Sequence, residues 1–350
     1  MKIALVTDIH IGARSASLLF AKHQIKFFKE VFIPKLIEEN ITTIICMGDV
    51  FDTRKFTNHA ILHEWKREVF DSLAQFDIHL ILGNHDISFR NSLDVNSPNL
   101  FLNEYTNIAI YKEATEVIFD GVTVVLSPLI CAQNEKQTYE LFGRTNAKTV
   151  FGHFEISGFD MHRGQTSHDG LPTSIFEKFD SVYSGHFHHR SNRGNINYIG
   201  NPYDLNWSDY NDPRGFCIFD TSTLEHEFID NPNSVHVKFY YNDTVGGNEY
   251  YKGFDLENIE NTFVKVIVVK KNDLYQFDQF INRLYNIRLA DLKIIEDFDE
   301  LQSSVVSDEH IDLEDTLTLV DTYINSIEID GDKEKLKHIM KSLYLEASRL

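Results

Sequence analysis

Short apolar runs alternate with longer amphipathic stretches through the first part of the chain. The runs "KIALVT", "TTIICMG" and "IHLILG" are rich in Ile, Val and Leu, and each stops at a polar residue: Asp8, Asp49 and Asn84. Runs of this length and composition predict buried strands. Between them, "SLLFAKHQIKFFKEVFIPKLIEEN" and "HAILHEWKREVFDSLAQF" space apolar residues at helical intervals, which predicts helices with one face in a core. Alternating strands and helices imply βαβ units and a mainly parallel sheet. Two later runs, "KTVFG" and "DSVYSG", end in the same way at His153 and His186. Ligands gather at the carboxyl ends of such strands, so all these terminal residues are expected along one sheet edge.

From about residue 108 the pattern changes. "IAIYKEATEVIFDGVTVVLSP" reads as strands around a "DG" turn, and "INYIGNPYDLNWSDYNDPRGFCIFD" is also strand-rich. Together they predict a second, mixed sheet packed on the first. Beyond Asp220, "FVKVIVVKK", "LYQFDQFINRLYNI" and "LADLKIIED" suggest a small strand–helix–strand module. From Asp291 to Glu334 there are 15 Asp and Glu against 2 Lys, and within this acidic stretch "DFDELQSSVVSDEHIDLED" reads as a linker. Leu313, Leu317, Val320, Ile324 and Ile327, then Leu336, Met340, Leu343 and Ala347, recur at helical spacing and predict two closing helices. Such a pair has little core of its own. It either folds back on the body or docks a partner helix. The expected domains are residues 1–220, 221–300 and 301–350.

Composition narrows the class. The 350 residues are 42% apolar and 25% charged, as in soluble globular proteins. No leader-like segment opens the sequence, and no apolar run approaches the roughly 18–20 residues of a membrane span. The expected location is the cytoplasm, with no membrane partner. Cys46, Cys131 and Cys217 are far apart in apolar contexts, so reduced thiols are expected. The net charge of −20, taken alone, argues against nucleic acid. Bound metal ions or a local site reverse the sign where it matters.

The candidate chemistry lies in "DIH", "GDVFD", "GNHD", "GH" and "GHFH". Asp8 and His10, like His186 and His188, are two apart, so in an extended segment each pair points one way. Asp49 is able to bridge two cations, Asn84 offers an uncharged oxygen, and His153 offers a ring nitrogen. Glycines before Asp49, Asn84, His153 and His186 allow sharp turns and close approach. The two Asp, four His and one Asn supply four contacts to each of two ions if one carboxylate is shared. Oxygen and imidazole donors without thiolate suit Mn²⁺, Fe²⁺ or Zn²⁺ better than Ca²⁺. His85 is a candidate general acid, with Asp86 to orient it and Asp52 in support. His189 faces the other side of its run. His162 and His168 sit in a loop able to reach substrate, whereas His23, His59, His63, His79 and His310 read as ordinary surface or loop histidines.

The ordered set DxH, GDxxD, GNHD, GH, GHxH resembles the calcineurin-like metallophosphoesterase superfamily. "TDIHIG", "GDVFDTRK", "FGHFEISGF", "SGHFHH", "YIGNPYDLNWSD" and "DPRGFCIFD" further resemble the SbcD-type DNA-repair nucleases, and most closely the recombination nuclease subunits of T4-like phages. The resemblance implies an α/β fold: a four-layer sandwich of two mixed β-sheets flanked by helices, with a small α+β capping (DNA-recognition) domain and a helical tail. It implies one metal held by Asp8, His10, Asp49 and His188, and a second by Asp49, Asn84, His153 and His186. His85 would be catalytic, and His189 inherits no role. Asp52 stands where some cellular relatives carry His, which weakens its supporting role. The implied cofactors are two divalent ions, with Mn²⁺ expected. The implied partners are DNA, an SbcC-type coiled-coil ATPase gripped by the C-terminal helices, and a second copy in a homodimer. Arg54, Lys55 and Arg90 follow ligand motifs and are candidate phosphate contacts.

The expected activity is a metal-dependent nuclease, an exonuclease on duplex ends and an endonuclease on single strands, in recombination and repair. A small-molecule phosphodiesterase or nucleotidase explains residues 1–220 but leaves the module and tail without a purpose. A protein phosphatase fits less well, since that group carries "GNHE" and "GDxVDRG". A binding protein without catalysis ranks last, because every ligand type and His85 are present.

Overall fold

The computed structural model describes residues 1–162, 165–244, 256–296 and 333. The chain forms two compact units, Met1–Glu296 and Asp297–Leu350. The predicted acidic linker and closing helices, residues 301–350, lie outside the described residues apart from Lys333.

The first unit opens as the apolar pattern predicts. Strands β1 (Lys2–Val6), β2 (Thr43–Cys46) and β3 (Asp77–Ile81) alternate with helices. The first connection runs from Leu18–Phe27 through a π-turn, Phe28–Phe32, into Ile33–Glu38, and Ser17 caps its start by accepting from Phe20 N. The second begins at His59–Trp65, with the Asn58 side chain accepting from Ala60 N and Ile61 N. A ribbon follows, β4 (Ile87–Phe89) and β5 (Ser92–Asn96), and then β6 (Ile108–Tyr111), β7 (Thr115–Phe119), β8 (Val122–Ser127) and β9 (Thr149–His153). A second ribbon, β10 (Asp160–His162) and β11 (Gln165–Thr166), precedes β12 (Ser181–Gly185), β13 (Ser191–Arg193), β14 (Ile196–Tyr198), β15 (Gly215–Asp220) and β16 (His226–Asp230).

These strands build two six-stranded sheets, in the orders β16-β15-β1-β2-β3-β6 and β13-β14-β12-β9-β8-β7. Membership differs from expectation in three places. The runs ending at His153 and His186 belong to the second sheet, so the polar termini line two facing edges instead of one. Strand β6 extends the first sheet beside β3. Strand β15 returns to the first sheet and pairs antiparallel with β1, Leu5 opposite Cys217. An apolar run reports burial on both faces, and nothing in it says which neighbour it pairs with.

Side-chain alternation sets the layers. In β1, Ala4 and Val6 face the helices of the first sheet, while Ile3 and Leu5 face the second sheet. In β15, Phe216 and Ile218 face the helices, and Cys217 and Phe219 face inward. From the opposite sheet, Val124, Leu126, Phe151 and Tyr183 complete this central layer, while Val125, Val150 and Val182 pack outward under Phe142, Phe154 and Phe176. The result is helix, sheet, sheet, helix.

The predicted strand–helix–strand module is present as β18 (Phe263–Lys270), the helix Leu274–Tyr285 and β19 (Asp291–Ile295), and β17 (His236–Asn242) pairs parallel with β18. It has its own core, with Tyr241, Val264, Val266, Phe277, Phe280 and Leu284 buried together. Arg14 ties it to the larger body: the guanidinium lies 4.1 Å from the Phe263 ring centre and 3.1 Å from both Leu205 O and His236 Nε2. All three cysteines are unpaired, with Cys46 and Cys217 buried. No helix among the described residues is long and apolar enough to cross a membrane.

Phe219 is fully buried between the sheets, 5.3 Å from the Phe151 ring and 5.5 Å from Tyr183. Phe219→Ala should cost about 3–5 kcal/mol in urea unfolding, as for other large-to-small core changes. A cost below about 1 kcal/mol would contradict the inter-sheet position of β15.

Candidate active site

The site forms where the carboxyl ends of β1, β2 and β3 meet those of β9 and β12. Past the last strand residues, the first two chains stay in register: Asp8 N donates to Gly48 O at 3.0 Å, and His10 N to Asp49 O at 3.0 Å. Their conformation is not the extended one expected from the two-residue spacing. Asp8, His10 and Asp49 are left-handed, with φ of 52°, 52° and 51°, and His186 has φ 87°. Side chains with a Cβ adopt this region at a cost, and such residues cluster at functional sites.

Two groups of side chains result. Asp8, His10 and His188 converge in one, and Asp49, His153 and His186 in the other, with ligand-type atoms within 4.8 Å of one another in each. In the first, His10 Nε2 and His188 Nε2 are 3.1 Å apart, and Asp8 Oδ1 lies 3.7 Å from His188 Nε2. In the second, Asn84 Oδ1 lies 3.0 Å from His153 Nε2 and 2.8 Å from His186 Nδ1. Asp49 Oδ2 stands between the groups, 3.3 Å from His153 Nε2 and 4.0 Å from His10 Nε2. Donors at right angles on an ion with bonds of about 2.1 Å lie about 3 Å apart. The shorter spacings match that figure, so the residues fit a pair of cations by donor type and spacing.

Hydrogen bonds behind the imidazoles aim them. His153 Nδ1 donates to Met47 O at 2.7 Å, which leaves Nε2 to face the site. The Asp52 carboxylate lies 3.3 Å from His10 Nδ1. Asp49 Oδ1 accepts from His85 N at 2.7 Å, and Asp8 Oδ2 accepts from Thr7 Oγ1 at 2.7 Å and from His186 N at 3.1 Å. Burial opposes ionisation of Asp49, yet the His153, His85 and His10 imidazoles outweigh it and hold the carboxyl well below the ordinary range. Burial also opposes a charge on His153, but Asp49 and Asp8 push it up to about 9. His186 goes the other way, down to about 3, through burial and the neighbouring His153.

His85 is half-buried between the two loops, its ring centre 4.8 Å from that of His10. Its orienting partner is not Asp86. Nδ1 donates to the backbone carbonyl of Asp52 at 2.5 Å. Asp86 is fully buried and points the other way: Oδ1 accepts from Val50 N and Phe51 N, and Oδ2 from Gly83 N. It ties the "GDVFD" loop to the "GNHD" loop.

His189 stays out of both groups. Its Nδ1 is 2.8 Å from Asp212 Oδ2, in a network that sequence reasoning did not foresee. Arg214, 5% exposed, donates to His188 O and Asn201 Oδ1, to Asp209 Oδ1 at 2.9 Å and to Asp212 Oδ2 at 2.7 Å. The "DPRG" turn thereby holds the histidine loop from behind. Glu155 was also missed; its carboxylate lies 3.7 Å from His186 Nε2. It stands two residues after His153, the one signal that pointed to it. The His162 side chain is outside the described residues, and His168 is exposed. His79 bonds Tyr111 Oη at 2.7 Å, away from the site.

Removing Arg214 leaves two buried carboxylates short of their cation. Arg214→Ala should cost about 3–5 kcal/mol, read by urea unfolding, and should weaken metal binding. Arg214→Lys should not restore either, since lysine lacks the planar fork. Metal binding also has to displace the His153 proton. Affinity measured by calorimetry should therefore rise about tenfold per pH unit up to about pH 9. A flat profile between pH 6.5 and 8.5 would contradict a buried, protonated His153.

Residues 1–190 match the family model described as calcineurin-like phosphoesterase. Over the full length of both chains, the protein is 34% identical to exonuclease subunit 1 of enterobacteria phage T4 and 22% identical to the D component of the nuclease SbcCD from Staphylococcus saprophyticus. A solved archaeal phosphodiesterase is 13% identical and aligns over 66% of this chain and 100% of its own, at a TM-score of 0.33. The two facing sheets and the convergent Asp, Asn and His side chains agree with that family, whose members use divalent metals. The chain belongs to the calcineurin-like phosphoesterase family.

Proposed function

We propose that the chain is a Mn²⁺-dependent DNA nuclease, an exonuclease on duplex ends and an endonuclease on single strands. The reading is carried by one observation: two groups of ligand-type side chains meet across Asp49 in a chain similar over its whole length to a phage exonuclease component. Asp8, His10, Asp49 and His188 would hold one ion, and Asp49, Asn84, His153 and His186 the other. When bound, such a pair neutralises phosphodiester charge and makes a water acidic enough to attack at neutral pH.

The protein's own part centres on His85. The bond from Nδ1 to the Asp52 carbonyl fixes the ring, so the exchangeable proton sits on Nε2. From there His85 protonates the leaving oxygen as the ester bond breaks. Asp52 serves twice, its carbonyl on His85 and its carboxylate beside His10. Arg54, Lys55 and Arg90 make no ion pair among the described residues and are proposed to face the DNA phosphates.

Residues 221–300 are proposed as the capping domain, and residues 301–350 as the docking segment for an SbcC-type coiled-coil ATPase. A homodimer is proposed through the stretch after "GNHD", where Phe89, Val95 and Leu100 are 62%, 43% and 63% exposed. On the same resemblance, the proposed setting is DNA end processing, recombination and repair in the cytoplasm of an infected host.

With Mn²⁺ and end-labelled duplex DNA, the wild type should release nucleotides, and His85→Ala should be at least 100-fold slower, about the share of general acid catalysis, with unchanged metal content. If DNA stays intact while nucleotide esters are hydrolysed, the small-molecule phosphodiesterase reading takes its place. Deleting residues 305–350 should abolish capture of the ATPase; full retention would defeat the docking proposal.

A further inference from the structure

A cavity of about 320 Å³ opens between the loop that follows His10 and the loop that follows Asp52. Ile11, Gly12, Ala16, Thr53, Phe56 and Ile61 form much of its wall, and no charged side chain lines it. Its two walls are extensions of the site itself. Ile11 follows His10 directly and bridges to Phe51, and Asp52 N donates to Ile11 O at 3.1 Å. One wall is a left-handed turn, with φ of 95° at Gly12 and 56°, 55° and 58° at Arg14, Ser15 and Ala16. Nothing lies within 4 Å of where a Gly12 Cβ would be, so the glycine serves the backbone angle and leaves the space open. On the other wall, Thr53 Oγ1 donates to the Phe56 carbonyl. The Phe56 ring is 81% exposed at the rim.

The volume falls within the roughly 300–1,000 Å³ of small-molecule sites. An uncharged lining with an exposed aromatic face selects a neutral, planar group. The hydroxyls of Ser15, Thr53 and Thr57 and the amide of Asn58 add polar partners at the edge. The surroundings select an anion: Arg54 and Lys55 lie on the same loop. The Arg54 guanidinium is lowered from its ordinary value by burial and by the like charge of Arg90. A planar neutral body flanked by phosphates is a nucleotide in a strand.

We infer that this cavity takes the nucleobase of a nucleotide next to the scissile phosphodiester, with Phe56 as its stacking face. The inference rests on the nuclease reading and names a base-binding site within it. Any base presents a π-face, so the site holds a strand without choosing its sequence.

The test uses the full chain with Mn²⁺ and single-stranded oligonucleotides, either intact or carrying one abasic site moved along the strand. Loss of one stacked base corresponds to about 5- to 150-fold. Phe56→Ala should lower kcat/KM on the intact strand by that factor, and Phe56→Tyr should restore it. An abasic site at one position beside the cut should slow the wild type by a similar factor. On that abasic strand, Phe56→Ala and wild type should no longer differ. Equal losses by the variant on intact and abasic strands would overturn the base site, as would wild-type rates on the intact strand. Failure of the nuclease reading looks different: the wild type would hydrolyse bis(p-nitrophenyl) phosphate and leave every oligonucleotide whole.

Discussion

Two carboxylates with almost no contact with water organise this molecule. Asp8 is 0% and Asp49 2% exposed, and a buried carboxylate is costly unless paired and hydrogen-bonded. Each is surrounded accordingly. Asp8 takes the Thr7 hydroxyl and the His186 amide, and Asp49 takes the His85 amide and faces His153 and His10. These donors come from both sheets. The sheets are therefore joined by the Ile, Leu and Phe layer between them and also by the need to satisfy two charges at their common edge. The same need raises His153 and lowers Asp49, so the site carries its own compensation and exchanges protons for cations when metal arrives.

That edge closes only where side chains are missing, as at Gly185 and Gly83. A Cβ on Gly185 would fall 2.0 Å from Thr7 Oγ1 and 2.9 Å from Asp8 Oδ2, and one on Gly83 would fall 2.2 Å from Asp49 Oδ1. Neither glycine is needed for its backbone angle; both are needed for approach. The strain sits instead on Asp8, His10 and Asp49, which are left-handed despite carrying side chains. Cross-links behind the site hold them there. Asp86 binds three backbone amides of two loops, and Arg214 grips the His188 carbonyl. Geometry at the ligands is thus a product of hydrogen bonds one layer away.

Much of this was legible in the sequence because period and punctuation report local facts. Apolar runs ending in Asp, Asn or His located the strands and the candidate site together, whereas the extended geometry read from the spacing of His186 and His188 is replaced by a left-handed turn at His186. The two helices and the small module follow from apolar spacing alone. What stayed hidden is non-local. No pattern in "GFCIFD" says that it pairs with β1 across more than two hundred residues. No spacing tells that Asp86 turns to the amides of Val50 and Phe51 while the Asp52 carbonyl serves His85. Arg214 went unmarked because its partners, Asn201, Asp209 and Asp212, gather only in the folded chain. Side-chain to backbone bonds of this kind leave no periodic trace.

The overall charge of −20 looks unsuited to a polyanionic substrate, yet position outweighs the sum. Exposed charges farther than about 8 Å apart are largely screened at physiological salt, so a sum over the whole chain says little about the field at one site. Within the site, Asp8, Asp49 and Asp86 are buried and already committed to imidazoles and amides. The cations that follow the ligand motifs, Arg54, Lys55 and Arg90, have no acidic partner among the described residues. On the proposed nuclease reading, these cations would attract a phosphate backbone towards the edge of the two sheets. Bound metal would deepen that local field.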